Sequence, residues 1–142
     1  MIEIKNAKQA LKTYVNQYDP SNDRIRVKIG HIERVATNAK QIAKGIELPE
    51  EDVNLAELIG LLHDIGRFEQ VKRYNTFNDQ KSINHGELGV QILLKEGKIR
   101  EFIQNQQYDK TIKTAILNHN RNKEDMEITN EKELLHSKII RD

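Results

Sequence analysis

Leu61-Leu62-His63-Asp64-Ile65-Gly66 is the stretch on which the reading of the chain turns. It closes an apolar helical run with an adjacent histidine and aspartate, followed by a glycine. Both side chains carry metal-ligand chemistry, and helical periodicity points both inward. A buried aspartate is costly unless it is paired or coordinates a cation. This pair therefore requires a partner elsewhere in the chain.

Working back from it, Pro49-Glu50-Glu51-Asp52 is a helix start, with a proline early and acids at the positive dipole end. The helix runs through Val53, Leu55, Ala56, Leu58, Ile59, Leu61 and Leu62 to His63, apolar on more than one side. It is expected to be the central, most buried element. Before it, a helix is predicted over residues 23–44, capped by Ser21 or Asn22 and stopped by Gly45. Its inner face reads Ile25, Lys28, His31 or Ile32, Val35, Ala39 and Ile42. An earlier helix over residues 4–17 carries Ile4, Ala7, Leu11 and Val15 on one stripe.

Beyond the pair, Gly66 either ends the helix or allows a close approach to whatever His63 and Asp64 hold. Residues 67–84 are polar, dotted with Phe68, Tyr74 and Phe77, and read as a long functional loop. Asn84 or Ser82 caps a helix over residues 85–95, ended by Gly97. Helices at 99–106 and 109–118 follow, the second with Ile112, Ala115, Ile116 and His119 on one face. Residues 121–129 form a charged connection. A last helix begins near Asn130 and carries Leu134, Leu135, Ile139 and Ile140. No alternating strand is evident, so the expected fold is all-α, a compact bundle of about six helices with its site in the interior.

The 142 residues fit one domain, 1–142. With 23 basic against 22 acidic residues, the net charge of +1 gives no electrostatic argument for nucleic acid or an anionic membrane. No apolar run approaches the ~20 residues of a membrane span, and residues 1–8 lack a signal-like apolar stretch. A cytoplasmic location is the expectation. Cysteine is absent, so any metal must be held by histidine and carboxylate.

Four of the five histidines lie at the ends or on the inner faces of predicted helices: His31, His63, His85 and His119, joined by Asp64 and Asp142. One inward histidine is usually a hydrogen-bonded core residue. Four, each beside an apolar stripe, are hard to explain that way. His136, beside Leu134-Leu135, reads as a surface position or one behind the ligands. Imidazole with carboxylate suits Zn, Fe, Mn, Co or Ni better than Ca. His63 and Asp64 can ligate one metal together, or Asp64 can bridge two ions with one oxygen each.

The order His31 … His63-Asp64 … Asp142 resembles the HD domain superfamily of metal-dependent phosphohydrolases, whose defining motif is H…HD…D on an all-α bundle. The closing Ser137-Lys138-Ile139-Ile140-Arg141-Asp142 resembles that family's last motif, an Asp after an apolar pair and a basic residue. The motifs fall within residues 22–142, and the stop at Asp142 reads as a truncated C-terminus, since the family usually continues with a further helix. The resemblance implies that His31, His63, Asp64 and Asp142 hold a first ion. By likeness to binuclear members it also implies that His85 and His119 hold a second, with Asp64 as the bridge. Where some binuclear relatives place an Asp after the second of these histidines, this chain has Asn120.

The implied cofactor is a divalent transition metal, two ions, and the implied activity is hydrolysis of a nucleotide or other small phosphate ester by a metal-activated hydroxide. Bound metal lowers the pKa of water from about 15.7 to about 7, and a pair of ions ~3.5–4 Å apart can clamp both oxygens of a phosphoryl transfer. Asp64 and Arg67 are the expected catalytic residues, Arg67 following Asp64 by one helical turn. Arg67 and Lys81 are the expected substrate contacts. Two other functions fit the same resemblance: a di-iron oxygenase, and a non-catalytic nucleotide-sensing module. Homo-oligomerisation is left open by the sequence.

Overall fold

A computed structural model describes residues 1–120 and 128–141. The expected connection at 121–129 therefore lies largely outside the described residues, as does Asp142. The helices are α1 (Ile4–Val15), α2 (Asp23–Gly45), α3 (Glu50–Leu62), α4 (Gly66–Tyr74), α5 (His85–Val90), α6 (Asp109–Asn118) and α7 (Glu131–Arg141). Among the described residues there is no strand, and no helix is long and apolar enough to cross a membrane.

α3 is the central element. Every residue from Leu55 to Leu62 is buried, Glu57 included. α2 packs along it so closely that a Cβ on Gly60 would stand 2.5 Å from the Ala36 Cα. The buried face of α2 is Ile25, Ile32, Ala36, Ala39 and Ala43, and Asn22 caps it by accepting from the Arg24 backbone N–H. α1 covers the outer side with Ala7 and Tyr14, and α6 and α7 close the bundle.

Three expectations are corrected. Residues 67–84 are not one loop, because α4 occupies their first half, with Phe68, Gln70 and Val71 buried. Only two of those three are apolar, so the inward face left too weak a stripe to read. Asn75, at φ 51, ends the helix in the left-handed region. After it comes a single 3-10 turn, Asp79–Lys81. The helix starting at His85 keeps its Asn84 cap but widens into a π-type segment, Gln91–Lys95, before Gly97 turns the chain at φ 80. The helix expected at 99–106 is instead two short 3-10 turns, Lys98–Glu101 and Gln106–Tyr108.

Candidate metal centre

α3 ends at Leu62 and α4 begins at Gly66, so His63, Asp64 and Ile65 form a tight corner at the base of both helices. The glycine after it is obligatory for a steric reason. A Cβ on Gly66 would lie 2.2 Å from the His85 carbonyl oxygen and 2.7 Å from the Gly89 backbone N. This close approach of α4 to α5 sets His85 beside Asp64. α2 brings His31 from one side, and the end of α6 brings His119 from the other.

Asp64 is 4% exposed and stands at the centre. Its two oxygens are divided between two pairs of imidazoles. Oδ2 lies 3.4 Å from His31 Nε2 and 3.3 Å from His63 Nε2. Oδ1 lies 3.3 Å from both His85 Nε2 and His119 Nε2. His31, His63 and Asp64 thus form one group able to hold a metal ion, and Asp64, His85 and His119 form another. The sixth expected ligand, Asp142, lies outside the described residues.

The outer ring nitrogens of His63, His85 and His119 are already committed. His63 Nδ1 donates to the Gly60 carbonyl at 2.7 Å, and His119 Nδ1 to the Ile116 carbonyl at 2.5 Å. His85 Nδ1 donates to Asp79 Oδ2 at 2.7 Å. A carbonyl can only accept, so the neutral rings carry their proton on Nδ1 and turn the Nε2 lone pair inward. Such outer hydrogen bonds fix the tautomer and orientation of histidines that ligate metals.

Lone pairs facing a carboxylate repel unless a cation lies between them, either a proton or a metal. Protonating all four rings would gather four imidazolium charges around one carboxylate. A metal ion coordinated by the Nε2 lone pairs and an Asp64 oxygen would satisfy these donors directly, so the donor set fits a metal. Burial opposes ionisation of Asp64, but protons on His119, His63 and His85, whose place a bound cation would take, outweigh it and hold the carboxyl far below the usual range. Burial and then the charge of Lys28 push His31 below its ordinary value, which favours its lone-pair form.

Asp79 was not foreseen from sequence, and no spacing rule would have found it. Its Oδ2 holds His85 through both Nδ1 and the backbone N–H, and its Oδ1 accepts from Arg67 Nη1 and Gln70 Nε2, each at 2.9 Å. Burial raises the Asp79 pKa, but the bonds from Gln70 and His85 prevail and lower it. Arg67 Nη1 also donates to the Phe77 carbonyl and to Gln70 Oε1, so it braces the segment after α4. Lys81 is exposed in the 3-10 turn four residues before His85.

Lys28 was placed on the inward stripe of α2 without a chemical role. Its Nζ lies 3.1 Å from Asp64 Oδ2. An ammonium on an inner helix face one turn from His31 was the available signal. The surface reading of His136 is overturned. The ring is 1% exposed, and Nε2 contacts Asp52 Oδ1 at 3.1 Å, linking α7 to α3.

An all-α bundle with a buried His/Asp cluster able to hold divalent metal is the class defined by this fold and site. The chain belongs to the HD domain family, which matches residues 29–140. That family consists mostly of metal-dependent hydrolases. No curated protein and no solved structure gives a significant match.

Proposed function

We propose that the protein is a metal-dependent phosphohydrolase acting on a nucleotide or another small phosphate ester. The observation that carries this reading is the division of Asp64, one oxygen toward His31 and His63 and the other toward His85 and His119. That arrangement would hold two ions sharing Asp64, and the resemblance to the HD motif makes Asp142 a further ligand to the ion held by His31 and His63. Metal held there would supply an acidified water, with pKa about 7, and positive charge for phosphoryl oxygens. The chain's own contribution is orientation. Carbonyls of α3 and α6 fix His63 and His119, and Asp79 fixes His85. Arg67 fixes Asp79 and so acts on the site through it, while Lys81 is offered to the substrate's phosphate.

The test is phosphate release from a panel of nucleotides and phosphomonoesters by protein loaded with Mn, Fe, Co, Ni or Zn. Asp64→Asn should abolish both metal binding and release. Oxygen consumption by iron-loaded protein, with no phosphate released from any ester, would replace this reading with an oxygenase. Tight nucleotide binding without turnover would replace it with a sensing module.

A further inference from the structure

We propose that Lys28 binds the phosphate of the substrate, its ammonium being held at the rim of the histidine cluster between Asp64 and the Phe77 ring. This assignment rests on the phosphohydrolase reading above. Lys28 lies one turn before His31 on the same face of α2. Its Nζ is 3.1 Å from Asp64 Oδ2, the oxygen that also faces His31 and His63. The side chain is only 13% exposed. Nζ also lies 5.1 Å from the centroid of Phe77, a ring that Arg67 approaches from 5.3 Å.

A charge count explains why an anion belongs beside Lys28. Without metal, Lys28 serves as a counter-ion for a buried carboxylate. With a divalent cation on one or both sides of Asp64, that carboxylate is already over-neutralised, and Oδ2 is shared with a stronger cation. The ammonium is then a half-buried positive charge whose anion has been taken. A phosphate dianion arriving at the cluster restores the balance. An ammonium is also a compact charge with three donors on a flexible stem, able to follow a phosphate oxygen.

A plain structural counter-ion would behave differently, and two measurements separate the roles. Metal affinity is measured calorimetrically in the absence of phosphate, and inorganic phosphate is then titrated into metal-loaded protein. For Lys28→Met the phosphate Kd should rise at least tenfold, while metal affinity stays level or tightens because a competing cation is gone. Lys28→Gln, which keeps a donor toward Asp64, should show the same phosphate defect even if Lys28→Met folds poorly. Lys28→Arg should recover part of the affinity. Unchanged phosphate affinity in Lys28→Gln would overturn the assignment and leave the phosphohydrolase reading standing. Wild-type protein that takes up metal, binds no phosphate and hydrolyses no ester would remove both.

Discussion

His85 and His119 point their Nε2 atoms at one another across 2.9 Å while both Nδ1 atoms donate elsewhere, His85 to Asp79 and His119 to the Ile116 carbonyl. Two neutral rings fixed this way set lone pair against lone pair beside a buried carboxylate. The folded chain keeps this arrangement at a cost that a shared cation removes. Binding should therefore stabilise the native state directly.

A ligand at one hundred times its Kd adds about 2.7 kcal/mol. For a domain of this size each kcal/mol moves Tm by roughly 2–4 °C. Saturating divalent metal should raise Tm by about 5–10 °C, chelator should reverse the shift, and Asp64→Asn should show none of it. Differential scanning calorimetry with and without metal decides this. An unchanged Tm in wild-type protein would mean the cluster does not hold metal.

Asp79 supplies the only carboxylate seen behind a histidine of the cluster among the described residues. Removing such an outer partner typically weakens metal affinity by about 10–100-fold. Asp79→Asn can still bond but carries no charge, so it should lie at the low end of that range, and Asp79→Ala at the high end. Arg67→Ala should give a smaller loss, since Arg67 reaches His85 only through Asp79. Metal competition titrations give the order. Equal affinity in all three variants would show that His85 needs no such support.

How much of this could be read from the chain depends on which contacts were local. His63-Asp64 and the inward histidines stood on helical stripes, where a period of 3.6 exposes them. α4 did not, because its buried face includes Gln70, fully enclosed yet polar and satisfied by Asp79, Ser82 and Ile83. His136 was misplaced because its partner Asp52 is 84 residues away, and no local pattern reports that pairing. Lys28 was seen facing inward, but only the fold reveals the carboxylate it faces.

Gly66 couples the packing to the site. An added Cβ would meet backbone atoms of His85 and Gly89, which cannot swing aside as a side-chain end could. Gly66→Ala should cost about 1–3 kcal/mol, the usual penalty for overpacking, and should weaken metal binding by displacing His85. Gly45→Ala is the control. Nothing lies within 4 Å of its added Cβ, and it sits at the end of α2. There the replacement should be neutral or stabilising by up to about 1 kcal/mol. Chemical denaturation of both variants with and without metal tests the pair, and a Gly66→Ala protein as stable and metal-competent as wild type would refute the close approach.

The buried His136 gives stability a pH dependence of defined sign. Burial lowers its pKa below the ordinary 6.5 despite the pull of Asp52. Its Nε2–H is spent on Asp52 and its Nδ1 is enclosed without a partner, so a second proton would bury an unsatisfied N–H. The unfolded chain thus takes up this proton more readily than the folded one. The contribution of His136 is full above pH 6.5 and is lost as pH falls from there toward the folded value. Asp52, for which burial is outweighed by the bonds from His136 and Lys132, has a lowered pKa and loses its contribution only in the acid range below the usual carboxylate value. In the presence of chelator, the stability gap between wild type and His136→Gln should therefore narrow on going from pH 7.5 to 5.5, by at most about 1.4 kcal/mol per unit. Urea unfolding across that range measures the gap, and parallel pH profiles would show that His136 takes no part in it.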